Sequence, residues 1–301
     1  MFKQASIYKI TGVNPSTLDA DLKAQTFIPC GASQEKSVGW VPPRGHEHGP
    51  MVETIGGQTI IKLMIETKSV PGDAVRRATD ERVKLIEAET GRKPGKKERR
   101  DIMDDVLLSM LPNAFAKQAT VTGWITNDGL LIVDSTSQGR TDEFMSALIN
   151  ATEGVNVRLI QTVTSPQAAM TQWLLAETAD EWPDNLNVER ECVLQSIGED
   201  AATVKFNRHH LANNDVRKHV LEGKLPTALA LSWDGRMAFV LTDTLKLKKL
   251  QYLDGVESHG DQHEDRFDAD VALATGNLRL LIEDLVYALG GDMDAQEGGA
   301  E

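Results

Sequence analysis

Apolar residues along this chain recur at two periods, alternation for strands and three-and-four spacing for helices. Gln4 to Thr11 alternates around Ile7 and Tyr8 and predicts a strand. Asn14-Pro15-Ser16-Thr17 is a helix-start signal for a short helix over Leu18 to Ala24. Phe27 to Cys30 reads as extended chain. Val38 to Pro43 reads as its irregular continuation, because Pro42-Pro43 enforces extended geometry. Met51 to Ile55 and Gln58 to Lys68, joined by Gly56-Gly57, predict a hairpin with Ile61, Leu63 and Ile65 on one face. Two helical runs follow. Asp73 to Glu89 carries Val75, Ala78, Val83 and Ile86; Glu98 to Leu111 carries Ile102, Val106, Leu107, Met110 and Leu111 before Pro112 stops it. Pro94-Gly95 breaks the pair, so the pattern predicts a helical hairpin.

A second β-hairpin is expected from Val121 to Ile125 and Leu130 to Val133 around Asn127-Asp128-Gly129. Helix is expected over Arg140 to Ala151, then a strand over Val155 to Ile160 and a helix opened by Ser165-Pro166. Beyond a polar break at Asp180 to Asn185 come strands at Glu189 to Ile197 and Ala202 to Phe206, and a helix at Asn213 to Leu221. Next are a hairpin turning at Asp234-Gly235 and a strand at Leu245 to Tyr252. Asp254 to Asp265 reads as an acidic loop. The last helix, about Asp268 to Leu289, carries a seam of Val271, Ala274, Leu278, Leu281, Leu285 and Ala288. Hairpins interspersed with helices give an α+β class with antiparallel sheets. The organisation read from this is a first α/β lobe over 1–70 and 118–180, a helical hairpin inserted at 71–117, and a second lobe over 181–289. An acidic Gly-rich tail, 290–301, is expected to be disordered.

At 301 residues, 41% hydrophobic and 26% charged, the chain can bury a sizeable core. No apolar run is long enough to span a bilayer and no signal core is seen, so a cytoplasmic protein without membrane contact is expected. Cys30 and Cys192 stand far apart, which fits two reduced thiols better than a disulfide or zinc site. The net charge is -13, yet six of the nine residues Arg92 to Arg100 are basic. A cationic hairpin tip on an acidic protein suits presentation to a polyanion; a solvated tip is the plainer alternative.

The rest of the chain offers little chemistry. His46-Glu47-His48 has no defined geometry or third ligand for a metal; His259 and His263 among Asp261, Glu264 and Asp265 could hold a divalent ion, but Gly260 argues against helix there and a flexible acidic loop is the plainer reading; His209-His210 with His219 is weaker still. Asp268 is expected to cap the last helix. Glu66 and Lys68 on one strand form half of a magnesium-nuclease constellation, but the neighbouring strand offers only Glu53. No phosphate loop, nucleophile elbow or dinucleotide fingerprint occurs, so neither an enzyme nor a cofactor is expected. Cations outside the tip include Arg76, Arg77, Arg82 and Lys84 in the first hairpin helix, Lys117 after the second, Lys205 and Arg208 at a strand end, and Lys246, Lys248 and Lys249. Aromatics are not interleaved with the main cluster at Arg92 to Arg100. That argues against a single-strand stacking platform and suits phosphate-only contact with a duplex.

Several landmarks occur in a fixed order: Phe27-Ile28-Pro29-Cys30-Gly31, Gly39-Trp40-Val41-Pro42-Pro43, Leu111-Pro112-Asn113-Ala114-Phe115, Leu229-Ala230-Leu231-Ser232-Trp233, Arg266-Phe267-Asp268-Ala269-Asp270 and Thr275-Gly276-Asn277-Leu278. Together they give a chain that resembles the RdgC family of bacterial recombination-associated proteins over nearly its whole length. The resemblance implies a ring-shaped homodimer with a basic hole and a protruding helical-hairpin finger. It implies duplex DNA as a non-specific partner, nucleoid association, and restraint of recombinase (RecA)-promoted strand exchange. It assigns Phe115 to a dimer contact, and Arg76, Arg82, Arg92, Lys93, Lys96, Arg99 and Arg208 to the DNA-facing surface. Lys97, Arg100, Lys117 and Lys205 join that set from the charge pattern. The family motif often has arginine where this chain has Asn113, which implies one missing hole-lining charge. The rival readings are a magnesium-dependent nuclease using Glu66 and Lys68, and an interaction scaffold that binds no DNA.

Overall fold

The computed structural model describes residues 2–198, 201–253 and 263–294. In chain order the first part comprises β1 (Ala5–Thr11), α1 (Leu18–Ala24), β2 (Lys36–Val41), β3 (Val52–Ile55), β4 (Gln58–Lys68), α2 (Gly72–Thr90), α3 (Lys96–Met110), β5 (Ala116–Ile125), β6 (Leu130–Val133), α4 (Gln138–Ala151) and β7 (Asn156–Leu159). Then come α5 (Pro166–Leu175), β8 (Leu186–Ser196), β9 (Thr203–Asn207), α6 (Asn214–Leu221), β10 (Lys224–Trp233), β11 (Met237–Thr242), β12 (Lys246–Tyr252) and α7 (His263–Ala288). The class is the expected mixture of helices with antiparallel strands. The strands form one twelve-stranded sheet in the order β2-β4-β5-β6-β1-β12-β11-β10-β8-β9, with β3 also on β4 and β7 also on β1. Two registered pairs, Ala5 with Leu247 and Ser6 with Lys246, join β1 to β12 and so join the two halves of the sheet.

Alternation explains how the sheet buries both faces. Neighbouring residues Ile60 and Ile61, Ile7 and Tyr8, and Trp124 and Ile125 belong to opposite cores. One core packs Phe144 and Leu148 of α4 and Leu18 and Leu22 of α1 against Ile61, Leu63, Val121 and Val133. The other takes the seam of α7, with α5 and α6, against Ile7, Ile60, Trp124 and Ile132 and the inward residues of β8 and β10–β12. Close packing fixes a glycine at the first core: a Cβ on Gly123 would lie 2.3 Å from the Phe144 ring. Helices α2 and α3 form the predicted hairpin around a third, separate cluster of Val75, Val83, Ile102 and Val106. Gly91, at φ +69, ends α2 in the left-handed conformation that glycine adopts without strain.

Three sequence expectations change. Lys36–Val41 is a regular strand paired with β4, because Pro42-Pro43 lies beyond the last ladder bond and Trp40 is fully buried. The last helix begins at His263, so Asp268 sits within it and does not cap; its carboxylate instead pairs with Arg44 at 2.6 Å. The acidic-loop reading of 254–265 falls mostly outside the described residues. Residues 290–294, expected to be disordered, are tied down: Met293 N donates to Gln161 O at 3.0 Å, Val163 N donates to Gly291 O at 3.1 Å, and Asp294 meets Lys9. The sequence offered this segment no apolar anchor; cations on two other strands supply the anchor.

Candidate nucleic-acid interface

The hairpin sets the geometry of the main cationic set. Lys96 and Lys97 occupy the first turn of α3, where Gly95 provides no side-chain cap. Cations there oppose the helix dipole, which favours negative charge at an N-terminus. The same end presents backbone N–H groups that an anion can accept from. Lys93, Lys96, Lys97 and Arg100 are all exposed and make no ion pair with other described residues. Arg92 lies 3.1 Å from Glu98, Arg99 pairs with Asp80, and Arg76 lies 3.7 Å from Asp73. These are exposed pairs of small net worth, readily exchanged for phosphate. Arg82 is exposed on α2, so the hairpin gathers eight of the eleven predicted cations.

The other three lie elsewhere. Lys117 is exposed at the start of β5, next to the hairpin's return into the sheet. Lys205 lies on β9 and Arg208 just after it, at φ +53, on the far edge of the sheet. From β5 to β9 is seven strand steps, roughly 34 Å along the sheet. One copy of the chain therefore does not bring all eleven into a single patch. Phe115, the predicted dimer contact, is 95% exposed between the hairpin and β5. Such exposure of a large ring has no basis in the chain's own packing. Asn113 closes the short 3-10 turn after α3 and is exposed.

The nuclease pair is built differently from a metal site. Glu66 is 3% exposed. One carboxylate oxygen accepts from Cys30 N at 2.7 Å and the other from Gln118 Nε2 at 2.7 Å. The hydrogen bond from Gln118, then that from Cys30 N, holds its pKa below the ordinary carboxylate value. Lys68 Nζ donates to Gly31 O at 2.9 Å. Glu53 on the adjacent strand is committed to Arg44 at 3.0 Å. Glu66 thus anchors the Cys30 loop to β4 and β5. Among the described residues no group of three or more His, Cys, Asp or Glu is placed to hold a metal. His209 Nδ1 contacts His210 O, and its ring packs on Phe206, as does that of His219. His259 is outside the described residues, as is the side chain of His263. Cys192 is buried, which pushes its thiol up to about 12, and half-buried Cys30 is raised chiefly by burial, then by Glu66.

Two ionic sites had no legible signal. Arg44 joins Glu53 and Asp268 and lies 4.8 Å from the Phe267 ring centre. Lys9 meets the carboxylates of Asp292 and Asp294, and Arg158 meets that of Asp294. In the sequence Lys9 is only a polar position in an alternating strand. No helix among the described residues is long and apolar enough to cross a membrane.

A family model described as "Putative exonuclease, RdgC" matches residues 1–292. Recombination-associated protein RdgC of Herminiimonas arsenicoxydans is 38% identical over 299 residues, covering 97% of this chain and 98% of the relative. The protein of the same name from Janthinobacterium sp. (strain Marseille) is 35% identical, covering 97% and 99%. That from Dechloromonas aromatica is 33% identical, covering 97% and 98%.

Proposed function

The chain belongs to the RdgC family of recombination-associated proteins, and from that premise we propose that it binds double-stranded DNA without sequence preference, as a homodimeric ring. In this reading it acts on nucleoid DNA in the cytoplasm and limits RecA-promoted strand exchange. The observation that carries the reading is the uncapped start of α3, with Lys96 and Lys97 set against the helix dipole beside Lys93. Positive charge there costs helix stability and is repaid by an external anion. Binding gains come from counterion release, so a protein of net charge -13 binds through one cationic element while the rest repels. The separation of Lys205 and Arg208 from the hairpin fits a duplex that is surrounded and touched from several sides. Exposed Phe115 is the contact through which two copies close.

The family description also names an exonuclease. Glu66 and Lys68 do not support that activity, since both Glu66 oxygens already accept hydrogen bonds in a buried site. The ring is tested by release. After competitor is added, the protein leaves short linear duplex quickly and covalently closed duplex slowly. Equal release rates from the two would refute enclosure.

A further inference from the structure

Lys9 on β1 and Arg158 on β7 are register partners across an antiparallel pair. Like charges directly opposite each other destabilise a sheet unless an anion lies between them. Here Asp292 and Asp294 of the same chain supply it. Lys9 Nζ pairs with Asp292 and lies 2.7 Å from Asp294 Oδ2, and Arg158 Nη2 lies 3.0 Å from the same Asp294 oxygen. Two cations thus share the Asp294 carboxylate, and Lys9 meets Asp292 as well. Lys9, Arg158 and Asp292 also line an open cavity of about 570 Å³, floored by Ile160, Ile282 and Val286. The acidic segment lies beyond the end of α7 and is held to 161–163 by the antiparallel bridge between Thr162 and Asp292, made of the two backbone bonds already described. It can lift without unfolding the helix, because its ties to 161–163 are few and lie beyond the last residue of α7.

We propose that residues 290–294 are an internal competitor, masking at Lys9 and Arg158 an anion site that takes the phosphates of a polyanion. The inference rests on the duplex-binding reading. In that setting the acidic end lowers the protein's grip on DNA until a phosphate backbone displaces Asp292 and Asp294.

The test uses the full chain with Asp292→Asn and Asp294→Asn, a random-sequence duplex, and inorganic polyphosphate in parallel, each over a salt series. Freeing two cations steepens the slope of log affinity against log salt by about 1 to 2, and affinity rises several-fold. Adding Lys9→Met and Arg158→Met to that variant restores the original slope, whereas those two changes alone leave it nearly unaltered. A control with Glu47→Gln and Glu153→Gln removes the same charge elsewhere and leaves the slope as it was. If the control and the strap variant shift alike, or if Lys9→Met fails to reverse the effect, the proposal is overturned. A lower thermal midpoint with an unchanged slope also overturns it, leaving a structural strap. If wild-type chain and strap variant both ignore duplex while polyphosphate binding responds to the strap, the mask stands and the duplex reading falls.

Discussion

Glu66 shows how one residue's environment decides between chemistry and architecture. Its short spacing to Lys68 suggested a metal-activating pair, but the two donors that hold its carboxylate were invisible in the sequence because they come from a loop and from β5. Glu66→Ala leaves Cys30 N and the Gln118 amide without their acceptor, so the thermal midpoint falls while duplex binding by the folded protein is unchanged. Its pH dependence follows from the depressed pKa. The native state holds the carboxylate ionised, so its contribution is complete above the ordinary value of 4.5 and is lost as pH falls through the lower native value. Acid melts should therefore show wild-type protein losing the advantage it holds over Glu66→Ala as pH drops below about 4.5. An advantage that grew on acidification would contradict the assignment.

Among the elements, helices and hairpins were legible wherever one face was apolar and a Gly or Pro marked the end. The boundaries of α1, α2, α4, α6 and the β10–β11 hairpin follow from such signals, and Ser165 and Asn213 cap as helix starters, accepting from Ala168 N and Val216 N. What was not legible depends on distant partners. β2 needed β4 to become a strand, and the early start of α7 adds residues before its apolar seam. The cationic hairpin was readable as an element, but the separation of its charges from Lys205 and Arg208 needed the strand order. At α3 the dipole argument gives a test with opposed signs. Lys96→Asp with Lys97→Asp stabilises the helix start by about 0.3–1 kcal/mol per site and weakens duplex binding. Changing Lys96, Lys97, Arg99 and Arg100 to Ala flattens the salt slope by about 3 to 4, roughly one per lost phosphate contact. Circular dichroism melts and fluorescence-anisotropy titrations check the two; an unchanged slope removes the hairpin from the interface.

For the whole molecule, twelve strands in one sheet place the hairpin and the β9 edge far apart, while Phe115 projects where the chain itself gives it nothing to pack against. The proposed homodimer would account for both. Phe115→Ala should leave the thermal midpoint near that of wild type, since the ring contributes no burial within the chain. Sedimentation at graded concentrations should show self-association weakened by about 2 kcal/mol, the scale of an interface anchor. An unchanged dimer would place the contact elsewhere. The central claim, sequence-independent duplex binding without cleavage, is tested most directly by titrating labelled random-sequence duplex against the protein across a salt series, with and without magnesium. Steep salt dependence, the same affinity for unrelated sequences, and intact DNA in both conditions are expected. Absence of binding at low salt, or cleavage once magnesium is added, would contradict it.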